Sequence, residues 1–129
     1  MKIRKRILSI CLAVMLITAL AIPASAYSFY DYGDYDGGTY EVSDVCHSSS
    51  YSSVMTYDGP EYSLRTDVYV YVTGTIDGYP AELELARIPG TPTVGINSNS
   101  GSFGVLLKHI NCHHYINNTY LYSTTVNAS

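Results

Sequence analysis

The residues best suited to chemistry in this 129-residue chain are its histidines and cysteines. Cys46 is followed by His47, and Cys112 is followed by His113 and His114. If the two cysteines meet in the fold, the histidines beside them come close together, and imidazole nitrogens are ligands that zinc and copper accept. The sequence therefore offers a metal site at His47, His113 and His114, with ordinary surface histidines as the alternative.

The two cysteines predict a disulfide bond. Cys46 and Cys112 are an even pair once the N-terminal segment is removed, and such pairs in exported chains form disulfides. A thiolate metal site is the alternative, but neither stretch has a second Cys at zinc-finger spacing. We therefore expect a bond between Cys46 and Cys112 that closes a long loop and stabilises the fold by about 4 kcal/mol.

The first 26 residues have the pattern of a secretory signal peptide. Basic residues fill "MKIRKR", an apolar run follows from Ile7 to Ile22, and small residues stand at Ala24 and Ala26. This order predicts cleavage between Ala26 and Tyr27. The run is short for a membrane span, which needs about 20 apolar residues. We expect a secreted, extracellular protein without a stable membrane span in its mature form, and the short basic start is typical of bacteria.

The charge that remains after cleavage limits the expected partners. Residues 27–129 contain 11 acidic residues but only three basic ones, Arg65, Arg87 and Lys108, which gives a net charge of −8. Nucleic acids and anionic membranes attract clustered Lys and Arg, so we expect neither as a partner. The expected partner is an extracellular protein or glycan, and we expect no cofactor.

Composition and patterning predict an all-β fold. Residues 65–75 alternate strictly, with Val68, Val70 and Val72 on one face and Tyr69 and Tyr71 on the other. Turn signals separate further predicted strands at 39–47, 50–57, 81–88, 102–115 and 119–126. The segment 81–88 could instead begin a helix, and the longest internal loop is predicted at 89–102. About six antiparallel strands predict a small β-sandwich over residues 39–129.

Residues 27–38, "YSFYDYGDYDGG", precede the predicted domain. Asp34 and Asp36 precede a Gly as in a calcium loop, but Tyr32 stands at the first ligand position, so the pattern fails. A weak, irregular calcium site at Asp31, Asp34 and Asp36 remains an alternative. With little apolar surface to bury, the segment is predicted to be a flexible Tyr/Asp/Gly-rich leader. A self-associating or partner-gripping arm is the other alternative.

Motifs for catalysis are missing from the sequence. It contains no G-x-S-x-G, no P-loop and no dinucleotide fingerprint. Glu82 and Glu84 could mimic the carboxylate pair of a glycosidase, but their spacing of two fits the solvated face of a strand better.

Tyrosine is the most informative residue type for function. The chain has 14 Tyr and no Trp, and Tyr suits exposed contact surfaces because its ring is apolar and its tip is polar. We expect a secreted, non-catalytic β-sandwich that binds its partner through Tyr69 and Tyr71. Packing of these two rings against a second sheet is the alternative. Two other classes of function remain, a bacteriocin-like toxin and a metal-dependent enzyme or metal-binding protein.

Overall fold

The computed structural model describes residues 27–128, so the predicted signal peptide lies outside the described residues. Within that range the chain forms strands and no helix. The strands are β1 (Tyr27–Tyr35), β2 (Gly38–Cys46), β3 (Ser50–Tyr57), β4 (Ser63–Ile76), β5 (Tyr79–Ile88), β6 (Thr93–Val94), β7 (Ile96–Ser102), β8 (His109–Ile116) and β9 (Thr119–Asn127).

These strands form two antiparallel sheets. One has four strands in the order β1-β2-β3-β7, and the other has five, in the order β5-β4-β8-β9 with β6 beside the start of β4. The sheets pack face to face, because each buried cluster takes side chains from both. The predicted all-β, sandwich-like fold is confirmed, with nine strands in the described range instead of about six.

The core lies between the sheets in two clusters. Tyr51, Val68 and Ile110 belong to one, and Met55 and Leu64 belong to the other. Burying an apolar side chain of this size contributes about 1.5–3 kcal/mol. Because β4 alternates as predicted, its valines enter the core while its tyrosines point away from it.

Three hairpins close with two-residue turns in the left-handed region. Asp36–Gly37, Asp77–Gly78 and Asn117–Asn118 all have positive φ, from 41° to 82°. Hairpins favour such turns because the backbone twist of the turn matches that of the flanking strands. Asp-Gly and similar pairs are preferred because these turns need residues with positive φ. The turn predicted at Asp77–Gly78 is therefore present.

The segment predicted as a flexible leader over 27–38 is an ordered edge strand instead. β1 pairs with β2 along its whole length, from Tyr27 opposite Cys46 to Tyr35 opposite Gly38. Phe29 packs against the core, which gives the segment apolar surface to bury. The Asp36–Gly37 turn folds β1 back onto its neighbour, and this corrects the sequence-based prediction.

The loop predicted at 89–102 also contains strands. β7 pairs with β3 through "INSNSGS". Ile96 is the one large apolar residue of this strand, so the strand shows no apolar alternation. Its buried residues are Asn97 and Asn99, whose side-chain amides bond the backbone carbonyls of Thr91, Thr66 and Ile88. Polar side chains thus replace the apolar contacts that sequence patterning relies on. Conversely, residues 103–108 form a loop where a long strand over 102–115 was predicted.

Candidate functional site

The outer face of the five-stranded sheet carries aromatic rings that contact one another in pairs. Tyr69 and Tyr71 point outward from β4, and His109 and His113 point outward from the neighbouring β8. The ring centroids of Tyr69 and His113 lie 4.6 Å apart, and those of Tyr71 and His109 lie 4.5 Å apart. These four side chains, called the aromatic face below, are partly exposed and form no part of the buried core.

Strand pairing explains this arrangement. Tyr71 is directly opposite His109 in the register of β4 and β8, whereas His113 is the diagonal neighbour of Tyr69. Cross-strand neighbours on one face of a sheet are close enough for rings to touch. Tyr69 and Tyr71 therefore lie where the sequence predicted, and no second sheet covers their rings within the described residues.

Charged side chains border the aromatic face. The Arg87 guanidinium carbon lies 5.1 Å from the centroid of the Tyr69 ring, and that of Arg65 lies 4.1 Å from the ring of Tyr115. Each guanidinium has a carboxylate nearby, since Arg87 Nε is 2.7 Å from Glu84 and Arg65 Nε is 3.2 Å from Asp67. The border therefore offers donors and acceptors without a large net charge.

Two further features suit this face to a ligand. An open depression lies beside Tyr69 and is also lined by Asp67, Arg87 and Pro89. Asn111, directly opposite Tyr69, has an Oδ1 atom that is buried and has no hydrogen-bond partner among residues 27–128.

The charge state of His113 follows from its position. Desolvation by its neighbours lowers the pKa of His113 from its ordinary value, outweighing the opposite effect of Asp67. The ring is therefore neutral at physiological pH, when it can both donate and accept a hydrogen bond. The aromatic face thus combines neutral rings with polar tips.

The structure does not bring the predicted metal ligands together. His47 follows β2 in the four-stranded sheet, whereas His113 and His114 lie in β8 of the five-stranded sheet. Adjacent residues of a strand point to opposite faces, so His113 is on the outer face and His114 is in the core. Within residues 27–128 no group of three or more His, Cys, Asp or Glu side chains is placed to hold a metal ion.

His114 belongs to a buried network that the sequence analysis missed. Its Nε2 lies 3.0 Å from Asp44 Oδ2, and its Nδ1 lies 2.8 Å from the hydroxyl oxygen of Thr66. Thr124 and Ser53 donate hydrogen bonds to the two oxygens of the same carboxyl. The buried polar cluster comprises Asp44, Ser53, Thr66, His114 and Thr124.

The buried polar cluster connects the two sheets. Asp44 and Ser53 come from the four-stranded sheet, and the other three members come from the five-stranded sheet. Thr66, His114 and Asp44 are the residue types of a catalytic triad, but all three are 0% exposed. A triad needs a substrate within reach of its hydroxyl, so this arrangement is an internal clasp. The sequence does contain a signal that Asp44 is buried. Asp44 is two residues from both Val42 and Cys46, and alternate residues of a strand lie on the same face.

Cys46 and Cys112 are free thiols in the structure, which corrects the predicted disulfide. Both are fully buried and belong to the same core cluster, one from each sheet. Burial raises the pKa of the Cys46 thiol to about 11 and raises that of Cys112 well above its ordinary value. Core packing and the clasp hold the sheets together where a covalent bond was expected.

Comparisons of the chain with protein-family models, curated proteins and solved structures find no match. No helix among residues 27–128 is long and apolar enough to cross a membrane.

Proposed function

We propose that this chain is a secreted, non-catalytic binding protein that holds an extracellular glycan or protein on its aromatic face. The observation that carries the proposal is the contact between the rings of Tyr69 and His113, tilted by 45°, and the stacking of Tyr71 on His109, both outside the core. Rings held in this way need little further ordering when a ligand arrives, which reduces the entropic cost of binding.

The chemistry of the aromatic face favours a partner with mixed apolar and polar groups. Tyr rings contact apolar C–H surfaces, and their hydroxyls remain free to bond polar groups at the edge. Arg87 and Glu84 at one border, with Asn111 in the middle, supply charged and neutral hydrogen-bonding groups. Sugar rings and the side chains of a protein surface both present this combination.

A non-catalytic role is supported by the burial of the triad-like residues. Thr66, His114 and Asp44 are inaccessible to any substrate. A metal-dependent activity at His47, His113 and His114 finds no support in their placement on different sheets and faces. The bacteriocin-like alternative stays a prediction, checked by growth inhibition of a panel of related strains.

The test is a comparison of two double variants. The exported chain is immobilised and screened against a glycan array and against the proteins of the culture medium. We expect Tyr69→Ala with Tyr71→Ala to weaken the retained interaction at least about tenfold, because aromatic anchors dominate binding energy. The matched control is Tyr30→Ala with Tyr32→Ala, which removes another pair of neighbouring tyrosines from the edge strand β1.

Two results would contradict the proposal. One is equal binding by the wild-type chain and the Tyr69/Tyr71 variant. The other is unfolding of that variant, measured by circular dichroism and urea denaturation, because the rings would then be packing elements and not contact residues.

A further inference from the structure

The edges of the two sheets differ in how well they could pair with another chain. Within residues 27–128 the edge strands are β1 and β7 in one sheet and β5 and β9 in the other. The pairing of β5 shifts register beside Val70 and that of β9 shifts beside His114, and such bulges oppose edge-to-edge pairing. β7 is regular but has only seven residues. β1 has nine residues and pairs with β2 without a shift, so its free edge is the longest regular one.

The hairpin between β1 and β2 determines which backbone groups face that free edge. Its two-residue turn makes Tyr35 and Gly38 the first hydrogen-bonded pair. Hydrogen-bonded pairs alternate along an antiparallel ladder, so the odd-numbered residues of β1 bond β2 and the even-numbered residues direct N–H and C=O outward. The amide of Tyr32 agrees with this alternation, because it donates to Asp31 Oδ1 at 2.8 Å and not to β2.

Asp31 places a negative charge at the free edge. It lies opposite Val42, a core residue that is 1% exposed, so it is on the inner face of β1. Among the described residues no Lys, Arg or His forms an ion pair with Asp31. An inward-pointing charge on an edge strand is one means by which folded proteins prevent pairing with other chains.

The sequence of β1 otherwise suits pairing with an identical strand. Two copies related by a two-fold axis pair antiparallel, and full overlap of residues 27–35 is centred on residue 31. In that register Tyr30 faces Tyr32 of the second copy, and Phe29 faces Gly33. Aromatic cross-strand pairs stabilise a ladder, and an aromatic ring opposite a glycine does so as well.

The central position opposes this pairing. Asp31 would lie opposite Asp31 of the second copy, at a position without hydrogen bonds between the copies. At such positions the Cα atoms are about 4.5 Å apart and the side chains are closest. Two carboxylates there repel each other. Sliding the copies by two residues leaves the carboxylates as diagonal neighbours, still only about 7–8 Å apart.

Asp31 also occupies a donor that an added strand would need. The Tyr32 N–H points to the free edge, but the Asp31 carboxylate already accepts its hydrogen bond. We propose that the free edge of β1 is a pairing surface for a second copy of this chain and that the Asp31 carboxylate prevents this pairing. Loss of the carboxylate then joins the four-stranded sheets of two copies into one continuous sheet. The proposal is independent of the aromatic face, which lies on the other sheet.

The test measures self-association of single variants by sedimentation velocity, with the N-terminus of each purified chain identified by intact mass. Asp31→Val removes both the charge and the acceptor of the Tyr32 N–H. We expect it to lower the dissociation constant of the dimer at least about tenfold relative to the wild-type chain. Asp31→Asn removes the charge but keeps an acceptor oxygen, so we expect a smaller decrease. The matched control is Asp34→Asn, which removes a carboxylate from the outer face of the same strand and is expected to leave the wild-type behaviour unchanged.

A second substitution assigns the association to this edge. Tyr32→Pro removes the outward N–H, and an edge strand tolerates proline where the N–H faces away from its neighbour. Added to Asp31→Val, it is expected to restore the wild-type dissociation constant. A dimer that persists in this double variant would place the contact elsewhere and overturn the proposal.

Two further results would also overturn it. One is a folded Asp31→Asn chain, checked by circular dichroism, that associates no more strongly than the wild-type chain; this variant decides the question if Asp31→Val does not fold. The other is equal association of Asp34→Asn and Asp31→Asn, because net charge and not the position of Asp31 would then control association.

Discussion

His113 and His114 are neighbours in the chain, but they lie in two regions that differ in solvent exposure and in hydrogen bonding. His113 contacts the ring of Tyr69 at the aromatic face, and His114 is 0% exposed in the buried polar cluster. The same residue type is a contact group in one region and part of an internal clasp in the other. Which face of the strand a residue occupies therefore decides its role before its chemistry does.

The two regions also satisfy their polar groups differently. In the buried polar cluster the Asp44 carboxyl meets Ser53, Thr124 and His114. On the outer face Asn111 Oδ1 has no partner among the described residues. A satisfied buried network stabilises a fold, whereas a buried polar group without a partner costs free energy. If the outer face binds a partner as proposed, stability and binding are assigned to opposite faces of one sheet.

Removing the Asp44 carboxyl should cause the largest loss of stability. That result would support a stabilising role for the buried polar cluster that the outer face lacks. Asp44→Ala leaves three buried polar groups without their partner, so we expect the free energy of unfolding to fall by about 3–5 kcal/mol. Urea denaturation measures it. The control, Glu82→Ala, removes a carboxylate from the outer face and is expected to change stability by less than about 0.5 kcal/mol. Similar losses for both variants would show that the cluster is no clasp.

Thiol chemistry tests the interior a second way. With the pKa of Cys46 raised to about 11, native Cys46 should react with iodoacetamide about 100-fold more slowly than an exposed thiol. In urea, intact mass without reductant should show two adducts on the cleaved chain, and three if Cys11 is retained. An unfolded, unreduced chain that takes up no adducts at Cys46 and Cys112 would restore the disulfide.

Hairpin turns show how far the sequence predicts this fold. Asp77–Gly78 and Asp36–Gly37 are the same signal, and both are two-residue turns with positive φ. The first follows the clear Val alternation of β4 and precedes the Leu/Glu alternation of β5, and it was recognised as a turn. The second follows a strand of Tyr, Asp and Gly with weak apolar periodicity, so that strand was predicted to be a leader. The Asp36–Gly37 pair was therefore enough to predict a hairpin. The composition of the preceding residues was given more weight, and it predicted a flexible leader.

The site was predictable in part. Alternation alone placed Tyr69 and Tyr71 on one face of β4, as the structure has them. The histidines were misplaced, because joining Cys46 to Cys112 was taken to bring their neighbours together. In two facing sheets, residues beside inward cysteines point away from each other, toward opposite surfaces. That outcome depends on pairing between distant strands, which no single stretch of sequence contains.

The smallest expected effect concerns His113 and tests the aromatic face by pH. Desolvation lowers its pKa in the folded state below the ordinary value of about 6.5. Between those two values the unfolded chain binds more protons, so the free energy of unfolding should fall as the pH falls below about 6.5. His113→Gln removes this contribution, and its urea midpoint should decline less steeply than that of the wild-type chain between pH 7.5 and 5.

Opposing interactions around His113 make the sign of this result informative. Asp67 raises the pKa of His113, and His114 lowers it, while the rings of Tyr69 and Tyr120 cover its sides. If His113→Gln loses stability relative to the wild-type chain as the pH falls, attraction to Asp67 dominates and the ring is charged when folded. The aromatic face would then present a cation to its partner, and the contrast between the two regions would be one of charge as well as burial.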